Sequence, residues 1–589
     1  MTKSVTNARG RNALIALATT ALCSGLISAS AQEVTPQRLL NADKEPQNWL
    51  LPYRTYDAHN HSSLSEINKG NVANLKVKFL MSVGGMNTAT PTGAAPTFQS
   101  TPLVVDGLMY VHNGWGQVLK IDLRSGTKGQ ILWIHDPKVD NPGAMRGSIA
   151  LLGKFLYHNT SGRNPRLIKV DTDSGKTVWD VSILPPKEES VDTAPSVQVM
   201  VVKDKLLVAN RGTRGSIAAY SPEDGKMLWR FWTVPGPGEK GHETWADTWG
   251  AWKTGGAPLW TQGSFDPESN LVYYGVAEAK PWGDPEFRPG DNLYSNSVVA
   301  LDVDTGKLGW HYQVVPNDTH DRDNVSMRML YDINVGGTSR KVLGQFTRGG
   351  FYYTWDRRNG EFINAEPYTE VNWTKGIDPK TGKPLEYDPK VQVQMYGENK
   401  SLRAGKPEFG QNVCPNWIGS PTLMPPTFDA GRMMTWVGAA SGCFSSTVLA
   451  PYEHKDVPAG TIRNFPGLEL FSQGPQRGRI AAVDVRTGKL KAEKWYDWPL
   501  YSGMLGTAGD LLFTAQADGR IMALDKDTLN ELWTIDVGTT IAAPPITYSV
   551  NGKQFVAIAV GGALYRPADF NTQALTIIQR NAQIVVFGL

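Results

Sequence analysis

A recurring turn constrains the fold more than any other feature of the chain. It reads Asp-x-x-Thr/Ser-Gly-Lys-x-x-Trp after an apolar residue. Clear copies run from Val170-Asp171 to Trp179, from Leu301-Asp302 to Trp310 and from Leu524-Asp525 to Trp533. Looser ones run from Ile121-Asp122 to Trp133, from Tyr220 to Trp229 and from Val483-Asp484 to Lys489, and Phe265-Asp266 and Trp355-Asp356 read as degenerate versions. Each copy joins an apolar strand, a turn rich in Asp and Gly, and a second apolar strand, which is the pattern of a hairpin. Copies lie mostly about 35 to 50 residues apart, enough for a four-stranded blade. A tryptophan at a fixed offset suits a packing wedge between neighbouring sheets, so these tryptophans are assigned no chemistry. Eight such turns and no long amphipathic helix predict an all-β chain, an eight-bladed β-propeller with tryptophan-docking repeats.

The ends and the charge bound the setting. Residues 1–31 read as a secretory signal peptide: Lys3, Arg9 and Arg11 precede the mostly apolar Ala13 to Ile27, and Ala29-Ser30-Ala31 offers a cleavage site after Ala31. The apolar run is short for a membrane span and is broken at Ser24-Gly25. An exported, periplasmic protein is expected, with residues 32–589 forming the propeller. Removing the signal takes away three positive charges and no acid, so the formal net charge falls from +3 to 0. Nothing in that balance points to nucleic acid or to an anionic membrane. Cys414 and Cys443 remain, and in an oxidising compartment they most simply form one disulfide, worth roughly 3 kcal/mol through restriction of the unfolded chain. Two buried free thiols are the alternative. No Cys-x-x-Cys-His occurs, so no covalent c-type haem is expected.

Chemistry concentrates in Asn317-Asp318-Thr319-His320-Asp321-Arg322-Asp323, just past the apolar run Leu308 to Val315. Carboxylates this close repel one another unless solvent or a cation intervenes. In an extended segment Asp321 and Asp323 point to the same side, and paired oxygen ligands suit a hard cation such as calcium. A solvated acidic loop is the plainer reading. Two stretches, 361–411 and 451–476, interrupt the repeat and read as long loops on one face, where binding surfaces are usually built.

In order along the chain stand Ile67-Asn68-Lys69-Gly70-Asn71-Val72-Ala73-Asn74-Leu75, Thr101-Pro102-Leu103-Val104-Val105-Asp106-Gly107, Trp252-Lys253-Thr254-Gly255-Gly256 and Arg288-Pro289-Gly290-Asp291-Asn292. Cys414-Pro415, Thr507-Ala508-Gly509-Asp510-Leu511 and Gly552-Lys553-Gln554-Phe555-Val556-Ala557 follow. With the repeats, the signal and the acidic loop, this series resembles the pyrroloquinoline quinone (PQQ)-dependent alcohol dehydrogenases of the methanol/ethanol type, in their soluble, haem-free form. The resemblance implies an eight-bladed propeller holding PQQ and one metal ion, Ca2+ or a lanthanide. It implies oxidation of an alcohol, in which a carboxylate takes the hydroxyl proton while hydride passes to the quinone, activated by the cation. Electrons would then leave for a separate cytochrome c. Asp321 falls at the family's catalytic base, beside the metal, and Asp323 at the extra acid of the lanthanide-dependent branch. Trp260 matches the tryptophan that stacks on PQQ, Arg348 the cation at the quinone oxygens, and Ser196 a hydroxyl that contacts the cofactor. Cys414 and Cys443 match a family disulfide.

Departures from the family pattern are equally informative. The metal-binding Glu position aligns with Asn210, and the metal-binding Asn position with Glu278, so carboxylate and amide exchange places. The adjacent cysteine pair that lies over PQQ in well-known members is absent near Arg146-Gly147-Ser148-Ile149-Ala150. The large funnel tryptophan is replaced by Tyr501. These changes imply a bulkier substrate, such as a secondary or polymeric alcohol or a trichothecene like deoxynivalenol. A non-catalytic periplasmic scaffold built from the same repeat, or an inactive relative, would share the tryptophan turns. Neither explains Asp321, Asp323, Arg348 and Trp260 standing together.

Overall fold

Antiparallel hairpins account for almost all the regular structure. The computed structural model describes residues 33–589 apart from 85–97, 140–148, 161–163, 187–198, 336, 398–411, 418, 420, 423, 458–466, 475 and 563–581. The signal stretch 1–31, Ser196 and the segment 146–148 therefore lie outside the described residues. Among the described residues no helix is long and apolar enough to cross a membrane.

Eight sheets of four or more strands succeed one another along the chain, the blades of a propeller. Blades 1 to 7 open with Leu103–Val105, Ile149–Leu152, Val199–Val202, Ser264–Asp266, Arg328–Val335, Thr427–Asp429 and Leu505–Thr507. Blade 8 takes three strands from Ile546–Val550, Lys553–Gly561 and Ala582–Gly588, and its outermost strand, Lys76–Gly84, from near the other end of the chain. Antiparallel pairing from Lys76 against Gly588 to Gly84 against Ala582 closes the ring. First to third strands are buried almost throughout, whereas fourth strands such as Thr177–Ser182 and Leu490–Tyr496 alternate between exposed and covered side chains. That period of two marks a strand with solvent on one face.

The repeat turn joins the third and fourth strands, and its tryptophan locks neighbouring blades. The amides of Gly175, Gly225, Gly306, Gly360 and Gly488 each donate to the carbonyl four residues earlier, at 2.8–2.9 Å. These glycines have φ of 70–77°, a region that favours glycine. The tryptophan of one blade lies on the turn glycine of the next: Trp133 on Gly175, Trp179 on Gly225, Trp229 on Gly306 and Trp310 on Gly360. A Cβ on Gly175 would sit 2.9 Å from the Trp133 ring. Trp133, Trp229 and Trp310 donate their indole N–H at 3.0 Å to the carbonyls of Thr172, Val303 and Arg357, again in the next blade. Trp533 of blade 7 does the same to Leu75, at the entrance to the closing strand. A large apolar ring thus fixes these five blade-to-blade contacts, with its donor satisfied in four of them, while the Trp179 indole N–H is buried without a partner.

Two sequence expectations need correction. Phe265-Asp266 belongs to the first hairpin of blade 4, where Ser264–Asp266 pairs with Leu271–Gly275, and is not a repeat turn. Seven repeat turns suffice for eight blades, because the third and fourth strands of blade 8 come from opposite ends of the chain. The interruptions are also not wholly loop. Phe362–Pro367 is the fourth strand of blade 5, and Gly467–Gln473 pairs with Phe444–Pro451 as an extra two-stranded ribbon. Polar turn chemistry in these stretches masked short strands that only their pairing partners reveal.

Cys414 and Cys443, 29 positions apart in sequence, form a disulfide with Cα atoms 4.4 Å apart. The bridge ties the insertion after blade 5 to the connection that follows the second strand of blade 6, Met434–Ser441, beside the backbone pairing of Val413 with Phe444. Replacing Cys443 with serine is expected to lower stability by about 3 kcal/mol. Denaturation of the variant and of reduced wild type should agree, and a negligible shift in both would contradict this account.

Candidate active site

The candidate residues gather because alternating strand directions bring their loops to one edge of blades 3 to 5. Asn210 ends the second strand of blade 3, Lys205–Asn210. Trp260 precedes the first strand of blade 4, and Glu278 follows its second, Leu271–Gly275. Asp321 and Asp323 lie between the fourth strand of blade 4, Leu308–Gln313, and blade 5. Arg348 sits between the second and third strands of blade 5, Thr338–Phe346 and Phe351–Asp356. Second-to-third and fourth-to-first connections necessarily emerge on the same side. A cleft of about 510 Å3 lined by Arg54, His59, His61, Pro267 and Asp429 lies at the other end of the first strands and contains none of these residues.

The acidic loop is buried and held from several directions. Asp318 accepts from the amides of His320 and Arg322, at 3.0 and 2.7 Å, and burial raises its carboxyl above the usual range. Arg288, wholly buried, donates to the Asp318 carbonyl, and Asn317 donates at 3.1 Å to the Arg288 carbonyl. Arg322 reaches the Pro415 carbonyl at 2.6 Å, connecting the loop to the disulfide. Asp318 is thus a brace for the loop. The segment is not extended, since Asp321 has φ 59°. Its two functional candidates converge through this left-handed residue and a shared arginine, and alternation along a strand plays no part.

Arg348 Nη1 lies 3.0 Å from Asp321 Oδ2 and 2.5 Å from Asp323 Oδ2, and donates at 2.7 Å to the Asp321 carbonyl. Asp323 Oδ1 accepts the Glu278 amide at 3.1 Å. That approach needs Gly275, where any Cβ would collide with the Asn324 carbonyl. Oxygens of Glu278, Asp321 and Asp323 all lie within 4.8 Å of one another, and all three residues are buried. Glu278 Oε2 and both amide atoms of Asn210 are buried without a hydrogen-bond partner. Buried polar atoms are normally satisfied, so the three carboxylates gathered at one point, with Glu278 Oε2 left open, fit a cation.

Trp260 packs with Ala277 and Val325, and the Arg211 guanidinium carbon lies 5.4 Å from its ring centre. Tyr501 is buried in an aromatic cluster with Trp282, Trp417 and Phe444, in which Trp282 and Trp417 stack with ring centres 6.2 Å apart. Two cations escaped the sequence reading. Arg211 stands beside Asn210, and Lys280 forms an ion pair with Glu278 Oε1. Burial pushes the Lys280 ammonium down to about 8, with Asp321 acting in the opposite direction. The only sequence signal for Lys280 was its position two residues after Glu278, on a segment with no regular pattern.

The family model described as PQQ, glucose/ethanol/alcohol dehydrogenase, β-propeller domain matches residues 49–375 and 481–556, more than half of the chain. The chain belongs to the PQQ-dependent alcohol dehydrogenases. It is 32% identical to the dehydrogenase subunit of the quinone alcohol dehydrogenase of Komagataeibacter europaeus, over 92% of this chain and 77% of that one. Identity to subunit 1 of the cytochrome c methanol dehydrogenase of Methylorubrum extorquens is 31%, over 93% and 88%. A europium-containing methanol dehydrogenase superposes with a TM-score of 0.81 at 27% identity, covering 94% of this chain and all of that one. Membership in the PQQ-dependent alcohol dehydrogenases makes this chain an oxidoreductase and agrees with the eight blades counted above.

Proposed function

We propose that this dehydrogenase oxidises a bulky or secondary alcohol to the aldehyde or ketone, using PQQ and one metal ion, and passes electrons to a separate cytochrome c. The observation that carries the reading is the meeting of Glu278, Asp321, Asp323 and Arg348 at one buried point. Glu278, Asp321 and Asp323 would hold the cation, with the Asn210 amide as a fourth donor. Trp260 would supply a flat apolar face for the cofactor, with Arg348, Arg211 and Ser196 offering polar contacts to its oxygens. Bound PQQ supplies a hydride acceptor, and the cation withdraws electrons from it. Asp321 receives the hydroxyl proton of the alcohol, with its carboxylate held beside Arg348. A carboxylate is a weak base in water, so the burial of Asp321 and alignment of the substrate against it must make the transfer effective. Arg322 fastens the loop to the Pro415 carbonyl of the insertion. Asp323 supports a lanthanide, because another anionic ligand favours a trivalent ion.

Support for a bulky substrate comes from Tyr501 in place of a tryptophan and from the missing adjacent cysteines. A trichothecene or polyvinyl-alcohol-like polymer suits that reading, and the N-terminal signal pattern supports a periplasmic location. The test is dye-linked oxidation by apo-protein supplied with PQQ plus calcium or lanthanum, across alcohols from ethanol to bulky secondary ones. The expected result is turnover dependent on PQQ and the ion, with kcat/KM at least tenfold higher for a bulky secondary alcohol. A higher kcat/KM for ethanol would overturn the substrate assignment, and retention of full activity without PQQ would overturn the whole reading.

A further inference from the structure

We propose that Lys280 sets the charge selectivity of the metal site, weakening its preference for a trivalent over a divalent ion. The inference rests on the metal site proposed above and adds a residue that is not itself a ligand. Lys280 reaches Glu278 Oε1 from the same connecting segment, while Oε2 of that carboxylate stays buried and without a hydrogen-bond partner. Glu278 can therefore give one oxygen to an ion while the other stays bound to an ammonium. The lysine is built in: its amide donates at 2.8 Å to the Gly255 carbonyl, and its stem runs over Gly256, where a Cβ would collide with Lys280 Cγ. Its side chain is 12% exposed and that of Glu278 1% exposed. Asp321, Arg211, Arg348 and Arg288 also act on it electrostatically, though among the described residues Arg211 and Arg288 form no ion pair with any of the three carboxylates.

The charges explain the effect. Three carboxylates, Glu278, Asp321 and Asp323, face two directly paired cations, Lys280 and Arg348, which leaves one formal negative charge. Without Lys280 the balance would be two. Coulomb energy scales with the charge of the entering ion, so Lys280 penalises a trivalent ion half as much again as a divalent one. If its removal tightens Ca2+ binding about tenfold, La3+ binding should tighten about thirtyfold, the three-halves power of the first factor.

Calorimetric titration of PQQ-loaded, chelator-stripped protein with Ca2+ and with La3+, repeated without PQQ, tests this directly. Wild type is compared with Lys280→Met, which keeps the stem volume, and Lys280→Gln, which keeps a polar tip should the methionine variant fail to fold. Tighter binding of both ions, with the La3+/Ca2+ preference raised at least about threefold, is the expected result. Unchanged affinities, equal gains for the two ions, or no ion binding by any variant in either condition would overturn the proposal. Retention of PQQ absorbance after desalting reports on the cofactor separately, so a failure of the cofactor reading is told apart from a failure of Lys280.

Discussion

Asp321→Asn will lower kcat for alcohol oxidation by roughly a hundredfold to ten-thousandfold, the usual contribution of a positioned general base. The amide keeps the size of the carboxylate but cannot accept a proton from the substrate hydroxyl. The substitution leaves the Asp321 carbonyl free to accept from Arg348, as it does at 2.7 Å, so the loop should keep its place. PQQ absorbance and the melting temperature of the variant separate loss of chemistry from loss of cofactor or fold. A variant that retains PQQ and more than a tenth of wild-type kcat would remove Asp321 from the base role. The parallel change Asp323→Asn should act through the ion instead, weakening La3+ more than Ca2+ and recovering activity at high ion concentration.

Arg348→Met will destabilise the metal-free protein by about 3–5 kcal/mol, the range expected when one member of a buried ion pair is removed. The side chains of Arg348, Asp321 and Asp323 are 5%, 11% and 2% exposed, so the two carboxylates would lose their shared cation without gaining water. A metal ion in the same site binds only the folded protein and should restore much of that loss. Thermal melts with chelator and with added ion measure both effects. If the melting temperature under chelator is unchanged, the arginine pairs are no stronger than exposed ones. The pairing of one guanidinium with two carboxylates also explains how the metal-free chain tolerates such a charge density.

Architecture was legible in the sequence because the repeat encodes it locally. An aspartate opening the turn, a glycine in the left-handed region and a tryptophan at a set distance specify a hairpin and its docking on the next blade. Those three properties belong to neighbouring residues and survive without knowledge of the rest of the chain. The closing blade was illegible for the same reason: its third and fourth strands, Ala582–Gly588 and Lys76–Gly84, are joined by hydrogen bonds alone. The misreading of Phe265-Asp266 shows the limit, since an aspartate beside an apolar residue looks alike in a first hairpin and in a repeat turn.

For the site, the sequence by itself determined which side chains were available: Asp321, Asp323, Arg348, Trp260, Glu278 and Asn210 all stood out by residue type and by resemblance. Tertiary structure decided which of them meet. Asp318 looked equal to its acidic neighbours, yet its carboxylate is consumed by two amides of its own loop. Asp321 and Asp323 converge through Arg348, some two dozen positions further along, and Glu278 joins them only because Gly275 lets two backbones approach. Lys280 acquired meaning only when its ammonium was found on Glu278. The physical reason is common to these cases. Turn chemistry acts between adjacent residues and can be read from their order, whereas the charge balance of a buried site depends on groups from separate blades, which only the closed propeller brings within reach.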